Sequence, residues 1–167
     1  QVDMADVERI AVCTGPGSFT GIRVGLAAAR GFALALNIPV VGVSTLSILA
    51  RMAQTLHPGH SVTIAMDAKR NDVFCQTFGS DGEPMDAPQV LSVDDLKRLA
   101  DDSDMRFFGS GAALVASPET GTKPDHFALE ALAFLGARAN PVSDKASPLY
   151  LRAPDAKPQT GFAVSRK

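Results

Sequence analysis

Along this chain, short continuous apolar runs alternate with longer stretches at helical spacing. VERIAVCTG, residues 7–15, is apolar through its centre and reads as a strand ending at a turn. After the turn, apolar residues including Phe19, Ile22, Leu26 and Phe32 predict a helix from about Phe19 to Leu36. Ser18 stands where an N-cap belongs, its hydroxyl placed to accept from an orphan amide of the first turn. The helix is expected to stop before Asn37-Ile38-Pro39, because the residue preceding a proline is pushed out of the helical region. PVVGVS, residues 39–44, is uniformly apolar, as a buried parallel strand tends to be. Ser44 or Thr45 caps a second helix, LSILARMAQTL, which closes at His57-Pro58-Gly59.

This strand–helix–strand–helix order predicts half of an α/β layer with parallel strands. The pattern then changes. SVTIAMDA and DVFCQTFG alternate as strands around a tight Lys69-Arg70-Asn71 turn and predict a hairpin. A turn at SDGEP, a strand at QVL and a capped helix at SVDDLKRLAD follow, the last with acidic residues in its first turn. MRFFGSGA reads as a strand closed by glycines and HFALEALAFLGARAN as a helix, followed by a proline-punctuated tail containing PLYLR. A soft boundary near His57–Ser61 divides the chain into 1–60, one α/β half, and 61–167, a second half with the tail.

Composition narrows the function classes. Of 167 residues, 46% are hydrophobic and 20% charged, the balance of an ordinary globular protein. A formal net charge of −2 supplies no overall field to draw in nucleic acid or an anionic membrane. Arg152, Lys157, Arg166 and Lys167 make the tail basic but with little aromatic interleaving, so they read as solvated charges. Cys13 and Cys75 lie within strands with no metal or disulfide spacing, and read as buried free thiols. The polar start has no apolar secretory core. VGLAAARGFALAL holds Arg30 and is shorter than the ~20 residues of a membrane span. A cytoplasmic protein is expected.

GPGSFTGIRVG, residues 15–25, suggests a phosphate loop but departs from both common patterns. A Walker loop needs a lysine that is absent here, and the third glycine of GxGxxG comes one residue late, at Gly21. Pro16 also removes an amide that a phosphate nest would use. A helix N-terminus still attracts anions, so Gly15, Gly17 and Ser18 are a candidate anion-binding turn. The helix behind it says more. Gly17, Gly21 and Gly25 are spaced by four, and Ala27, Gly31 and Ala35 form a second ridge. Such ridges admit a close helix neighbour, and glycine inside a helix costs about 1 kcal/mol against alanine. They serve either the chain's own sheet or a partner. Phe19, Ile22, Leu26 and Phe32 distribute apolar surface around the cylinder, and Arg23 and Arg30 lie seven apart on one face.

No catalytic constellation emerges. His57 and His60 flank Pro58-Gly59 in a loop, and His126 stands alone. No GxSxG elbow is present. The GSG of FFGSGA reads as a turn more than as a phosphate contact, and Asp67 and Asp72 as carboxylates supporting a hairpin turn. Catalytic residues, metal and cofactor are all expected to be none. A kinase-, ATPase- or peptidase-like enzyme is the alternative.

The run GPGSFTGIRVGLAAARGFALALNIPVVGVSTL resembles the signature of the bacterial TsaB (YeaZ) family. IAMDAKRNDVF is similar to that family's hairpin, and PLYLR to its P-x-Y-L-R segment. The resemblance implies the actin-like, sugar-kinase and Hsp70-like ATPase fold, with two ribonuclease H-like α/β halves. It implies a non-catalytic partner of the TsaD-type transferase, a relative of glycoproteases, in forming N6-threonylcarbamoyladenosine beside the anticodon of ANN-decoding tRNAs. A TsaE-type ATPase is a further implied partner, the chain alone is expected to homodimerise, and tRNA is met only through the complex. The helix beginning at Ser18 becomes a docking helix, with Phe19, Ile22, Arg23, Gly25, Leu26, Ala29 and Arg30 at the interface. Gly25→Leu is then expected to abolish association. Family members carry a D-T-S-type strand, further strands and a helix upstream of the equivalent of Val7. This sequence does not contain them: if they are truly absent, PVVGVS is expected to expose an edge and the interface to lack its other helix, and if they are only cropped, the fold inference stands.

Overall fold

The computed structural model describes residues 3–101, 106–115 and 128–152. In chain order it places β1 (Ile10–Cys13), α1 (Phe19–Leu36), β2 (Val40–Val43), α2 (Thr45–Leu56), β3 (Val62–Lys69) and β4 (Asp72–Phe78). There follow β5 (Gln89–Ser92), α3 (Val93–Asp101), β6 (Arg106–Phe108) and α4 (Leu129–Arg138). His126 and the tail cations Lys157, Arg166 and Lys167 lie outside the described residues.

Two sheets organise the described residues. β1 and β2 pair in parallel with Ile10 opposite Val40, while the second sheet runs β5-β4-β3-β6. In that sheet β3 and β4 form the antiparallel hairpin, and β6 lies parallel to β3. The period of two in β3 sends Ile64 and Met66 to one face, against Leu46, Leu49 and Ala53 of α2. Ala65 turns to the other face with Val73 and Cys75, under Val93 and Leu96 of α3. The far side of α2 presents Ile48 to Val43 of β2 and Ala131 of α4. One helix therefore joins the two sheets, and its fully buried Leu46, Ile48 and Leu49 each contribute about 1.5–3 kcal/mol.

Local chemistry sets the ends of the helices. Ser18 Oγ accepts from Gly21 N at the start of α1, and Asn37 closes that helix in the left-handed region at φ 53°. Of the two candidate caps for α2, Ser44 takes the role, its hydroxyl accepting from Ser47 N at 2.9 Å. At the C-terminus of α4, Arg9 Nη1 donates to the carbonyls of Gly136, Ala137 and Ala139, satisfying groups the helix leaves unpaired.

α4 follows the boundary expected near His57–Ser61 in the chain, yet packs on β1, β2 and α2. Gly136 permits this, since a Cβ there would come within 2.2 Å of Ala11 Cβ. The expected open edge of PVVGVS is covered. Val41 bridges to Lys145, and Gly42 N donates to Asp144 O at 2.9 Å. The segment 144–152, carrying PLYLR, continues from there as a strap. Leu149 N donates to Thr14 O on the first sheet, and Arg152 Nη1 donates to Ala68 O at the hairpin.

Candidate functional site: the α1 face and the cleft at its N-terminus

α1 is apolar on two sides. Ile22, Leu26, Ala29 and Ala33, at intervals of four, three and four, are its buried residues and meet Val12 of β1. On the opposite side Val24, Ala27, Gly31 and Leu34 recur at intervals of three and four, all exposed. Val24 is 63% exposed, Phe32 58% and Leu34 85%. By length and composition the helix is able to cross a membrane, but its inner side is packed on the sheet.

This divides the residues assigned to the interface. Ile22, Leu26 and Ala29 serve the chain's own core, because β1 needs apolar cover on that face. Gly25 also turns inward, a Cβ there standing 3.8 Å from Val12 Cγ2. Phe19, Arg23 and Arg30 remain exposed, but both arginines hold the strap: Arg23 Nε donates to Tyr150 Oη at 2.9 Å and Arg30 Nη2 to Ala146 O at 2.7 Å. The Arg23 guanidinium also lies 3.7 Å over the Phe19 ring. The residues that continue the outer stripe, Val24, Gly31 and Leu34, were not among those assigned. Only Gly31 carried a signal, as a glycine inside a helix: nothing lies within 4 Å of the position its Cβ would take.

A cleft of about 810 Å³ opens where α1 begins, between Gly17, Ser18 and Gly21 on one wall and Asp67, Lys69 and Phe74 on the other. Gly15 has become structural. Its φ of 97° and the 2.6 Å from its virtual Cβ to Ile22 Cδ1 require glycine, and its carbonyl accepts from Thr45 N. Gly17 and Ser18 face the cleft, with the Ser18 hydroxyl engaged by the Gly21 amide. Lys69 Nζ pairs with Asp67 Oδ2 at 2.6 Å. That bond, followed by the Lys69 backbone amide, holds the Asp67 carboxyl below its usual range. Cys13 Sγ lies 3.1 Å from Thr45 Oγ1.

The remaining candidates have structural partners. Ser110, in the GSG turn, accepts from Asp67 N, and Gly111 N donates to Ala65 O, which fastens β3. Asp72 pairs with Arg152. His60 Nδ1 contacts Pro58 O within its own loop, and His57 Nδ1 lies 3.4 Å from Arg106 Nη1. Cys75 is free and buried, and desolvation raises its thiol pKa from 9.0 to about 12. Among the described residues no three of His, Cys, Asp and Glu converge to hold a metal.

Residues 1–144 match the family described as TsaD: tRNA N6-adenosine threonylcarbamoyltransferase. Within that class, a relative from Haemophilus influenzae named tRNA threonylcarbamoyladenosine biosynthesis protein TsaB is 43% identical over 68 residues, 41% of this chain and 29% of that protein. An uncharacterized protein from Mycobacterium tuberculosis is 34% identical over 93% of this chain and 69% of its own length. A crystal structure from Pseudomonas aeruginosa, described as similar to peptidase YEAZ, is 30% identical with a TM-score of 0.71. It is covered over 76% of its length by 90% of this chain. YeaZ from Pseudomonas aeruginosa is 28% identical with a TM-score of 0.68, over 90% of this chain and 77% of that one. The chain belongs to the TsaB (YeaZ) family. It spans less than two thirds of several TsaB relatives, including 35% of that from Buchnera aphidicola.

Proposed function

We propose that this chain is a non-catalytic subunit in the formation of N6-threonylcarbamoyladenosine on tRNA, and that it docks a TsaD-type transferase through the outer face of α1. The observation that carries this reading is the two-sided helix. Only four of its 18 residues are buried, and the outer side is an apolar stripe at the spacing that packs helix against helix. Exposed contiguous apolar surface on a folded protein marks an interaction site. The TsaB names of the relatives supply the pathway. The reading carries with it what the family resemblance implies: an actin-like architecture of two ribonuclease H-like halves, a TsaE-type ATPase as a further partner, tRNA contact through the assembled complex, and a cytoplasmic location. The same face serves the homodimer when the transferase is absent.

The rival reading is a nucleotide-handling enzyme that would act at the cleft. Gly17 and Ser18 line it as the candidate anion turn, opposite Lys69. The scaffold reading is favoured because Ser18 already accepts from Gly21 N and Lys69 is paired with Asp67. The test is size-exclusion chromatography with light scattering of the chain alone and with a TsaD-type transferase from the same source. A one-to-one complex is expected, with ATP hydrolysis by the chain alone at background. Absence of a complex together with ATP turnover by the chain alone would overturn the reading in favour of the enzyme.

A further inference from the structure

The strap at 144–152 runs from β2 and α1 on one side of the molecule to the base of the β3–β4 hairpin on the other. At its start Asp144 O accepts from Gly42 N on β2, and Ala146 O accepts from Arg30 on α1. In its middle Leu149 N donates to Thr14 O after β1, and Tyr150 Oη accepts from Arg23 on α1. Leu151 then packs on the core between α2 and the four-stranded sheet. At its end Arg152 takes both the Ala68 carbonyl and the Asp72 carboxylate, at the base of the β3–β4 hairpin.

That hairpin is under backbone strain. Lys69, Arg70 and Asn71 all sit in the left-handed region, at φ 63°, 58° and 65°. Consecutive non-glycine residues persist there only where the surroundings over-determine them. The Asp67 carboxylate, accepting from Lys69 N, fixes one side of the turn, and Arg152 grips both strands at its base through Ala68 and Asp72. Strap and hairpin thus restrain each other: the hairpin offers Arg152 its acceptors, and Arg152 holds the hairpin's base.

We infer that Arg152 is a positioning residue for α1: its grip on the hairpin keeps the strap taut, and the strap sets how α1 is seated for its partner. The consequence for docking rests on the proposed function; the mechanical coupling does not. Linkage makes the effect reciprocal, so a hairpin that releases Arg152 loosens α1, and a partner that fixes α1 stabilises the hairpin.

Hydrogen exchange on the full chain tests the coupling without any partner. Arg152→Ala is expected to speed exchange about tenfold at the strap's Leu149 amide, which bonds Thr14 O, and at the Gly42 amide of β2, which bonds Asp144 O at the strap's far end. Arg152→Lys, which keeps the charge but not the forked reach, is expected to fall between. Asp72→Asn leaves the Ala68 contact in place and serves as the second, milder variant should Arg152→Ala not fold. Acceleration confined to residues 68–74, with Leu149 and Gly42 unchanged, would overturn the inference. Titration with a TsaD-type transferase is expected to show a several-fold weaker complex for the same variants. Failure of the unaltered chain to bind would count against the docking role alone, while the exchange pattern still judges the strap.

Discussion

Gly31 and Gly42 carry the same side chain for opposite reasons. Nothing surrounds Gly31 within 4 Å, whereas a Cβ on Gly42 would meet Thr14 Cγ2 at 2.7 Å and Lys145 O at 2.8 Å. Gly31→Ala is therefore expected to stabilise the isolated chain by about 0.5–1 kcal/mol through helix propensity. Gly42→Ala, which presses the strap away from β2, is expected to cost about 1–3 kcal/mol. Paired denaturant titrations check both signs. Cys75 gives a pH-dependent prediction. Its thiol is raised from 9.0 to about 12 by burial, so the folded chain holds a proton that the unfolded chain sheds first. Stability is fully present below about pH 9 and falls by up to about 1.4 kcal/mol per pH unit as pH rises toward 12. Relative to the unaltered chain, Cys75→Ala is expected to flatten that decline in melts between pH 9 and 11. A steeper fall in the variant would contradict the assignment. The roles of Ser18 as cap and Asn37–Pro39 as stop were legible in the sequence, because capping and proline chemistry act within a few residues. The partners of Arg23 and Arg30 were not, because Tyr150 and Ala146 lie more than a hundred positions away and touch them only through the fold.

Among the elements, α1 was legible in its ends but not in its orientation. Both of its sides carry apolar residues, so periodicity alone gives no preference for Ile22 and Leu26 over Val24 and Leu34 as the core stripe. The sheet decides: Val12 takes the first set, and the second is left to solvent. Leu34→Arg is accordingly expected to change stability by no more than about 0.5 kcal/mol, as exposed substitutions do. Leu26→Arg, buried at 3% exposure, is expected to unfold the chain. Circular dichroism melts of the two variants check which stripe is which. The hairpin and its turn were also legible from alternation and turn residues. The strap was not, because PLYLR has neither a helical nor a strand period, and its backbone bonds go to whatever edge the folded sheets leave open.

For the molecule as a whole, α2 joins two sheets into one core, and α1 stands at one side of that core with a free apolar face. The alternation of strands and helices made the α/β class legible. The seat of α4 on the first sheet was not, because a helix of that length carries no mark of which sheet it covers. The outer stripe of α1 is the face proposed to receive the transferase. Calorimetric titration of a TsaD-type transferase into the unaltered chain and into Leu34→Arg, with matched melting curves, tests it most directly. A one-to-one complex is expected with the unaltered chain, and at least a tenfold loss of affinity, about 1.4 kcal/mol, in the variant. Equal affinity for the two chains, with both folded, would contradict it.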